Sequence, residues 1–256
     1  KSRMKLFSAS LFAAALVAGH AAATPLVFED FDAADGMALV GQPGWTQTPL
    51  GGASNPITIN AGQVALNNSA GGEDATLDAG ATISAGQTWY AGFDLSVDAG
   101  TSVVNFAHFT DSTINNSFTS QVRVAGTVTA GSGYGLSILN PGGVTEQKWG
   151  TNLDFDTTYR VVISYDLDTG TSQLWVDPTS EASTSVAATT TDAGRLIDSF
   201  GLRQSSDGNS TVTIDNLSLA TDFNTALIPE PGSLALLSLT GLTLLRRRRH
   251  VTAPTH

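Results

Sequence analysis

Thr158-Tyr159-Arg160-Val161-Val162-Ile163-Ser164-Tyr165-Asp166-Leu167 runs into Asp168-Thr169-Gly170, and Thr171-Ser172-Gln173-Leu174-Trp175-Val176 follows. Tyr159, Val161, Ile163, Tyr165 and Leu167 fall on one face of an extended chain, and Arg160, Ser164 and Asp166 on the other. The Asp-Thr-Gly triplet is turn chemistry, so the two runs predict a β-hairpin. On the return strand Leu174 and Val176 share a face. Gln173 and Trp175 take the opposite face, where the pattern predicts solvent. A lone hairpin is marginal in water and needs further strands to bury its apolar side.

Those strands are readable on both sides of the hairpin. Apolar alternation or short apolar runs occupy residues 26–31, 57–60, 63–66, 88–97, 102–110, 121–128, 134–139, 199–204 and 211–219, separated by Gly, Asn, Asp and Ser. No segment from 24 to 228 carries a sustained helical period. So many strands in one unit predict an all-β fold, a two-sheet antiparallel sandwich or barrel. Residues 179–191 are rich in Ser, Thr and Ala without an aromatic residue, and read as an exposed connection. No repeat and no hinge divides residues 24–226, so they form one domain.

The 256 residues carry a formal net charge of -11. Of the 12 basic residues, only Arg123, Lys148, Arg160, Arg195 and Arg203 lie between 24 and 228, against 22 acidic ones. Such a domain repels nucleic acid and anionic membrane surfaces. Cysteine is absent, which excludes disulfides, thiol catalysis and cysteine-zinc sites.

The two ends read as addresses. Lys1, Arg3 and Lys5 precede the apolar residues 6–18, and Ala21-Ala22-Ala23 follows. This is the pattern of a secretory signal over 1–23, with Ala21 and Ala23 at the positions a signal peptidase reads. Near the other end, Pro229-Glu230-Pro231 precedes the apolar residues 232–245 and then Arg246, Arg247, Arg248 and Arg249. As a helix that apolar run rises about 21 Å, short of a hydrocarbon core of about 30 Å. Arginines at its end snorkel to the headgroups and belong on the cytoplasmic side. The expectation is a short transmembrane helix with the domain outside.

This tail resembles the PEP-CTERM sorting signal of Gram-negative bacteria over residues 227–250, leaving 251–256 as an extension. The resemblance implies recognition by an exosortase, cleavage near Pro229-Glu230-Pro231, and a place at the cell surface or in the medium, beside exopolysaccharide and biofilm. A second resemblance rests on Phe28-Glu29-Asp30-Phe31-Asp32, Gly41-Gln42-Pro43-Gly44-Trp45, Leu174-Trp175-Val176-Asp177-Pro178, Phe200-Gly201-Leu202-Arg203-Gln204 and Ile214-Asp215-Asn216-Leu217. These segments look like laminin-G-like domains of the concanavalin A-like lectin/glucanase superfamily. The implied fold is a jelly roll of two curved antiparallel sheets.

Chemistry is sparse. His108 is the only histidine between 24 and 228, and its strand setting reads as packing rather than a catalytic triad. Glycoside hydrolysis needs two flanking carboxylates, yet no Glu-x-Asp-x-x-Glu pattern occurs. Trp175 and Gln173, and separately Trp149, are candidate sugar contacts, because aromatic faces and amides suit pyranoses. Asp154 with Asp156, and Asp166 with Asp168, are candidate oxygen ligands for calcium, or plain turn residues. The resulting expectation is an exported, exosortase-sorted, non-catalytic surface protein with adhesion or glycan contacts. A polysaccharide-active glycoside hydrolase on the same fold, and a purely structural module, are the alternatives.

Overall fold

The computed structural model describes residues 24–49, 51–52, 54–67, 71–98, 104–113, 118–142, 145–190, 193–204 and 210–228. The signal segment, Pro229, Glu230, Pro231, the apolar run 232–245 and the four arginines lie outside these residues. Among the described residues no helix is long and apolar enough to cross a membrane.

Among the described residues fifteen strands form two antiparallel sheets. In chain order they are β1 Val27–Glu29, β2 Trp45–Gln47, β3 Thr58–Asn60, β4 Gln63–Leu66, β5 Asp74–Asp78, β6 Thr88–Val97, β7 Val104–Thr110 and β8 Thr119–Ala125. The remainder are β9 Gly135–Leu139, β10 Gln147–Lys148, β11 Tyr159–Asp166, β12 Thr171–Val176, β13 Val186–Thr189, β14 Ser199–Arg203 and β15 Val212–Ala220. One helix, α1 Phe223–Leu227, follows. The eight-stranded sheet runs β13-β12-β11-β6-β15-β4-β3, with β1 also on β15, and the seven-stranded sheet runs β10-β9-β8-β7-β14-β5-β2.

The hairpin read from sequence is β11–β12, with Val161 opposite Val176 and Ile163 opposite Leu174. Its apolar face meets the other sheet in a core centred on Phe93, Phe106, Phe109 and Phe200. Phe93 meets Phe106 edge-on at 6.3 Å, and Phe109 meets Phe200 edge-on at 5.7 Å. Such geometry adds to the area these rings remove from water. The connection expected over 179–191 is corrected in part: residues 186–189 pair with β12 as edge strand β13.

The outer face of the eight-stranded sheet is partly covered. Helix α1 lays Phe223 against Trp175 at 5.1 Å and Tyr90 at 5.9 Å, both edge-on. Asp222 caps it, its carboxylate accepting from the Thr225 amide. Gly92 lies directly beneath, where a Cβ would stand 1.8 Å from the Ala226 carbonyl oxygen. A glycine is therefore required for the helix to approach the sheet.

Candidate functional site

The outer face of the seven-stranded sheet gathers the unusual chemistry. Residues directly opposite on antiparallel strands share a face. His108 of β7 lies opposite Gly201 of β14, and Gly201 opposite Thr76 of β5. Arg203 lies opposite Asp74 in the next row. Further along the sheet, Asn105, Arg123, Ser137 and Lys148 form one row across β7 to β10. Two register shifts in β7 allow both Asn105 and His108 onto this face while Phe106 and Phe109 face the core.

Gly201 makes the room that His108 occupies. A Cβ there would stand 2.3 Å from the imidazole Nε2. Phe118 covers the other side, with ring centroids 4.3 Å apart. The Arg203 guanidinium carbon stands 5.1 Å from the Phe118 centroid, within cation–π range. His108 is fully buried, and neither ring nitrogen has a hydrogen-bond partner. Burial, aided by the charge of Arg203, pushes its pKa down to about 3, so the ring is neutral near pH 7.

Beside this stack a groove of about 140 Å³ opens between the Gly51-Gly52 and Gly71-Gly72 loops, with Asp74, Arg203 and Gln204 in its lining. The loops touch so closely that a Cβ on Gly52 would stand 2.1 Å from the Gly72 carbonyl oxygen. Asp74 is buried, and its Oδ1 accepts from the Gln204 amide at 3.0 Å. Its Oδ2 lies 3.5 Å from Arg203 Nε, an ion pair without a hydrogen bond. Burial pushes the Asp74 carboxyl up to about 6, and Arg203 only partly opposes the shift. Gln204 is locked by Nε2 donating to Asn55 O and Oε1 accepting from the Asn67 amide. Asp74 is thus a fixed acid–base group that titrates near neutrality, next to a fixed cation.

The polar band beyond it is tied together as well. Arg123 stands 3.5 Å from Glu146, whose Oε1 also accepts from the Ser137 hydroxyl. Asn105 donates to Gln121 at 3.1 Å. Arg123, Lys148 and Arg203 place three of the five basic residues of 24–228 on this one face.

The residues chosen from sequence sit elsewhere. Trp175 is buried, and its indole N–H donates to the Glu181 carbonyl. This corrects the solvent-facing expectation: α1, too short to show a helical period, covers it. Gln173 is half-buried on the outer face of the eight-stranded sheet. Trp149 is half-buried at the sheet edge, beside Thr184 and Val186. Asp154 and Asp156 precede β11, and Asp166 and Asp168 end it, so the two pairs lie at opposite ends of that strand. Asp166 accepts from the Thr169 amide and hydroxyl, and Asp168 accepts from the Gly86 amide. Among the described residues no three His, Asp or Glu groups converge in a way that would hold a metal ion. Glu29 and Glu73 are structural: Glu29 accepts from the Trp45 indole and Glu73 from the Ile57 amide.

No family model matches the chain, and no curated protein matches it. Among solved structures, a sialidase aligns over 79% of this chain at 14% identity and a TM-score of 0.52. The chain spans only 19% of that sialidase's length. A marine PL7 alginate lyase from Zobellia galactanivorans aligns over 66% of this chain and 81% of its own, at 15% identity and a TM-score of 0.47. An alginate lyase from Alteromonas sp.272 aligns over 70% and 95%, at 12% identity and a TM-score of 0.44. At these identities the likeness is one of fold alone.

The finding nonetheless corrects the expectation of a non-catalytic protein. A protein named as a sialidase shares the fold over 79% of this chain, and a shared fold of this kind is compatible with catalysis. The missing Glu-x-Asp-x-x-Glu pattern therefore gives no ground for excluding catalysis, since it tests for only one of the chemistries built on such sheets.

Proposed function

We propose that residues 24–228 form a concanavalin A-like jelly roll acting on an acidic polysaccharide, with the Asp74–Arg203 groove as its reaction centre. The observation that carries this reading is a buried carboxyl with a pKa near 6 fixed beside an arginine, on the face that holds most of the domain's basic residues. Two-carboxylate hydrolysis fits poorly, because Glu73 is spent on the Ile57 amide and Asp74 is the one carboxylate among the described residues that line its groove. β-Elimination needs less. Arg203 holds the uronate carboxylate and stabilises charge as it develops. Ionised Asp74 takes the proton from the carbon next to that carboxylate, the bond to the linkage oxygen breaks, and the proton passes to that oxygen. A pKa near 6 suits both halves of that transfer near neutral pH. The chain lies along Asn105, Arg123, Ser137 and Lys148.

The two ends fit an extracellular substrate. The domain is exported through residues 1–23, handled by signal peptidase, and sorted by an exosortase at Pro229-Glu230-Pro231.

The test is turnover of soluble polyuronates by the full chain, read as ultraviolet absorbance of new unsaturated ends. Asp74→Asn is expected to lower kcat by at least about 100-fold, and Arg203→Met chiefly to raise KM. The wild-type rate should rise with pH through about 6, as Asp74 ionises. Reducing ends without unsaturation would replace elimination by hydrolysis. An undiminished rate in Asp74→Asn would remove the groove as the site.

A further inference from the structure

The opposite sheet carries a second groove, of about 290 Å³, on its outer face beside α1. It is built from two rows across three strands. Thr88, Asp166 and Thr171 lie opposite one another, as do Tyr90, Ser164 and Gln173. Glu181 reaches in from the segment after β12, its Oε1 accepting from the Tyr90 hydroxyl at 2.7 Å.

What distinguishes this groove is its hydrogen-bonding capacity. Ser164 is 2% exposed and lines the base of the groove, and no hydrogen bond ties up its hydroxyl among the described residues. Gln173, with two amide donors and one acceptor, and the Thr171 hydroxyl line the same groove. Ser164, Thr171 and Gln173 line the groove, so their polar atoms are placed to meet the hydroxyls of a ligand that fills it. Asp166 and Glu181 line the same groove as acceptors, Asp166 held by Thr88 and Thr169.

We infer that this groove is a second carbohydrate site, for a neutral sugar residue, on the face opposite the Asp74 groove. Neighbouring hydroxyls of a pyranose both donate and accept. They donate to Asp166 and Glu181 and accept from the Gln173 amide and the Ser164 and Thr171 hydroxyls. The two carboxylates, with no cation among the described residues that line the groove, repel a uronate, so the two faces select different polymers. A domain with both sites holds a neutral glycan on one side while an acidic one occupies the other. The site stands apart from the elimination reading, because no residue is shared.

The experiment is native electrophoresis of the full chain through gels containing a mixed-linkage β-glucan, a galactomannan, an arabinoxylan or a polyuronate. At least one neutral polymer is expected to retard the protein. Gln173→Ala and Ser164→Val should each weaken that retardation about 10-fold, the loss of roughly one hydrogen bond to a buried partner. Gln173→Glu preserves size but adds a third carboxylate, and should weaken it as much. Asp74→Asn should leave it unchanged. The inference is overturned if no neutral polymer retards the wild type, or if both Gln173 variants bind as tightly as the wild type. Polyuronate turnover without neutral-glycan binding, or the reverse, separates failure of one site from failure of the other.

Discussion

Replacing Arg160 by methionine is expected to lower stability by about 3–5 kcal/mol, the usual consequence of removing one partner from a buried charge network. The guanidinium fastens α1 to the eight-stranded sheet. Nη2 donates to the Ala226 carbonyl at 2.7 Å and Nε to the Leu227 carbonyl at 3.1 Å. Nη1 donates to the Asn216 carbonyl at 2.9 Å and to Asp94 at 3.1 Å. Two last-turn carbonyls of the helix are thus satisfied by a cation, where the helix dipole favours one. Five residues cannot hold a helix by themselves, so its packing depends on this clamp and on the bare backbone of Gly92. Methionine keeps much of the aliphatic stem, which isolates the charge from the packing. Without the clamp, α1 is expected to lift and uncover Trp175. Urea midpoints and quenching of tryptophan fluorescence by acrylamide report the two effects. A midpoint at the wild-type value, with Trp175 still shielded, would show that the apolar contact of Phe223 alone docks the helix. The clamp also bears on function. It fixes where the chain leaves the domain, at exposed Ile228 on the sheet opposite the Asp74 groove.

The long strands were legible because each packs one face against the core. Residues 63–66 and 88–97 form strands with the bounds that the pattern predicts, and β11 ends one residue short at each side. Strand β5 was not read: four of its five residues are buried, so both faces are covered and alternation disappears. Helix α1 is too short to display a period, and missing it reversed the reading of Trp175. The candidate site was less legible still. Asp74 and Arg203 lie 129 positions apart and meet only because β5 and β14 pair. Nothing in the sequence marks Gly201 as special, yet it is the space in which His108 sits. Sequence periodicity reports which side of a strand is apolar. It does not report which polar side chains are deprived of water, and that deprivation moves Asp74 and His108 from their ordinary pKa values.

Those two shifts have opposite signs, and together they predict the acid response of the fold. His108 has a pKa of about 3 in the folded chain against 6.5 when free. Between those values the unfolded chain binds a proton that the folded chain refuses, so stability falls as pH falls from 6.5 to 3. The full shift corresponds to about 5 kcal/mol, large against the whole stability of a typical domain. Asp74 runs the other way. Its folded pKa is about 6 against 3.8, so the folded chain holds the extra proton in that window. Stability from this group rises as pH falls from 6 to 3.8, by about 3 kcal/mol at most. The wild type should therefore weaken gently down to about pH 4 and steeply below it, where only His108 still acts. His108→Leu keeps an apolar group under Phe118 and leaves Asp74 acting alone, so the urea midpoint should rise as pH falls from about 6 to 4 and level off below. Asp74→Asn should do the opposite, and make the decline begin near pH 6. If His108→Leu follows the wild-type curve between pH 6.5 and 3, the imidazole reaches water by displacing Phe118 and takes up its proton without unfolding the domain.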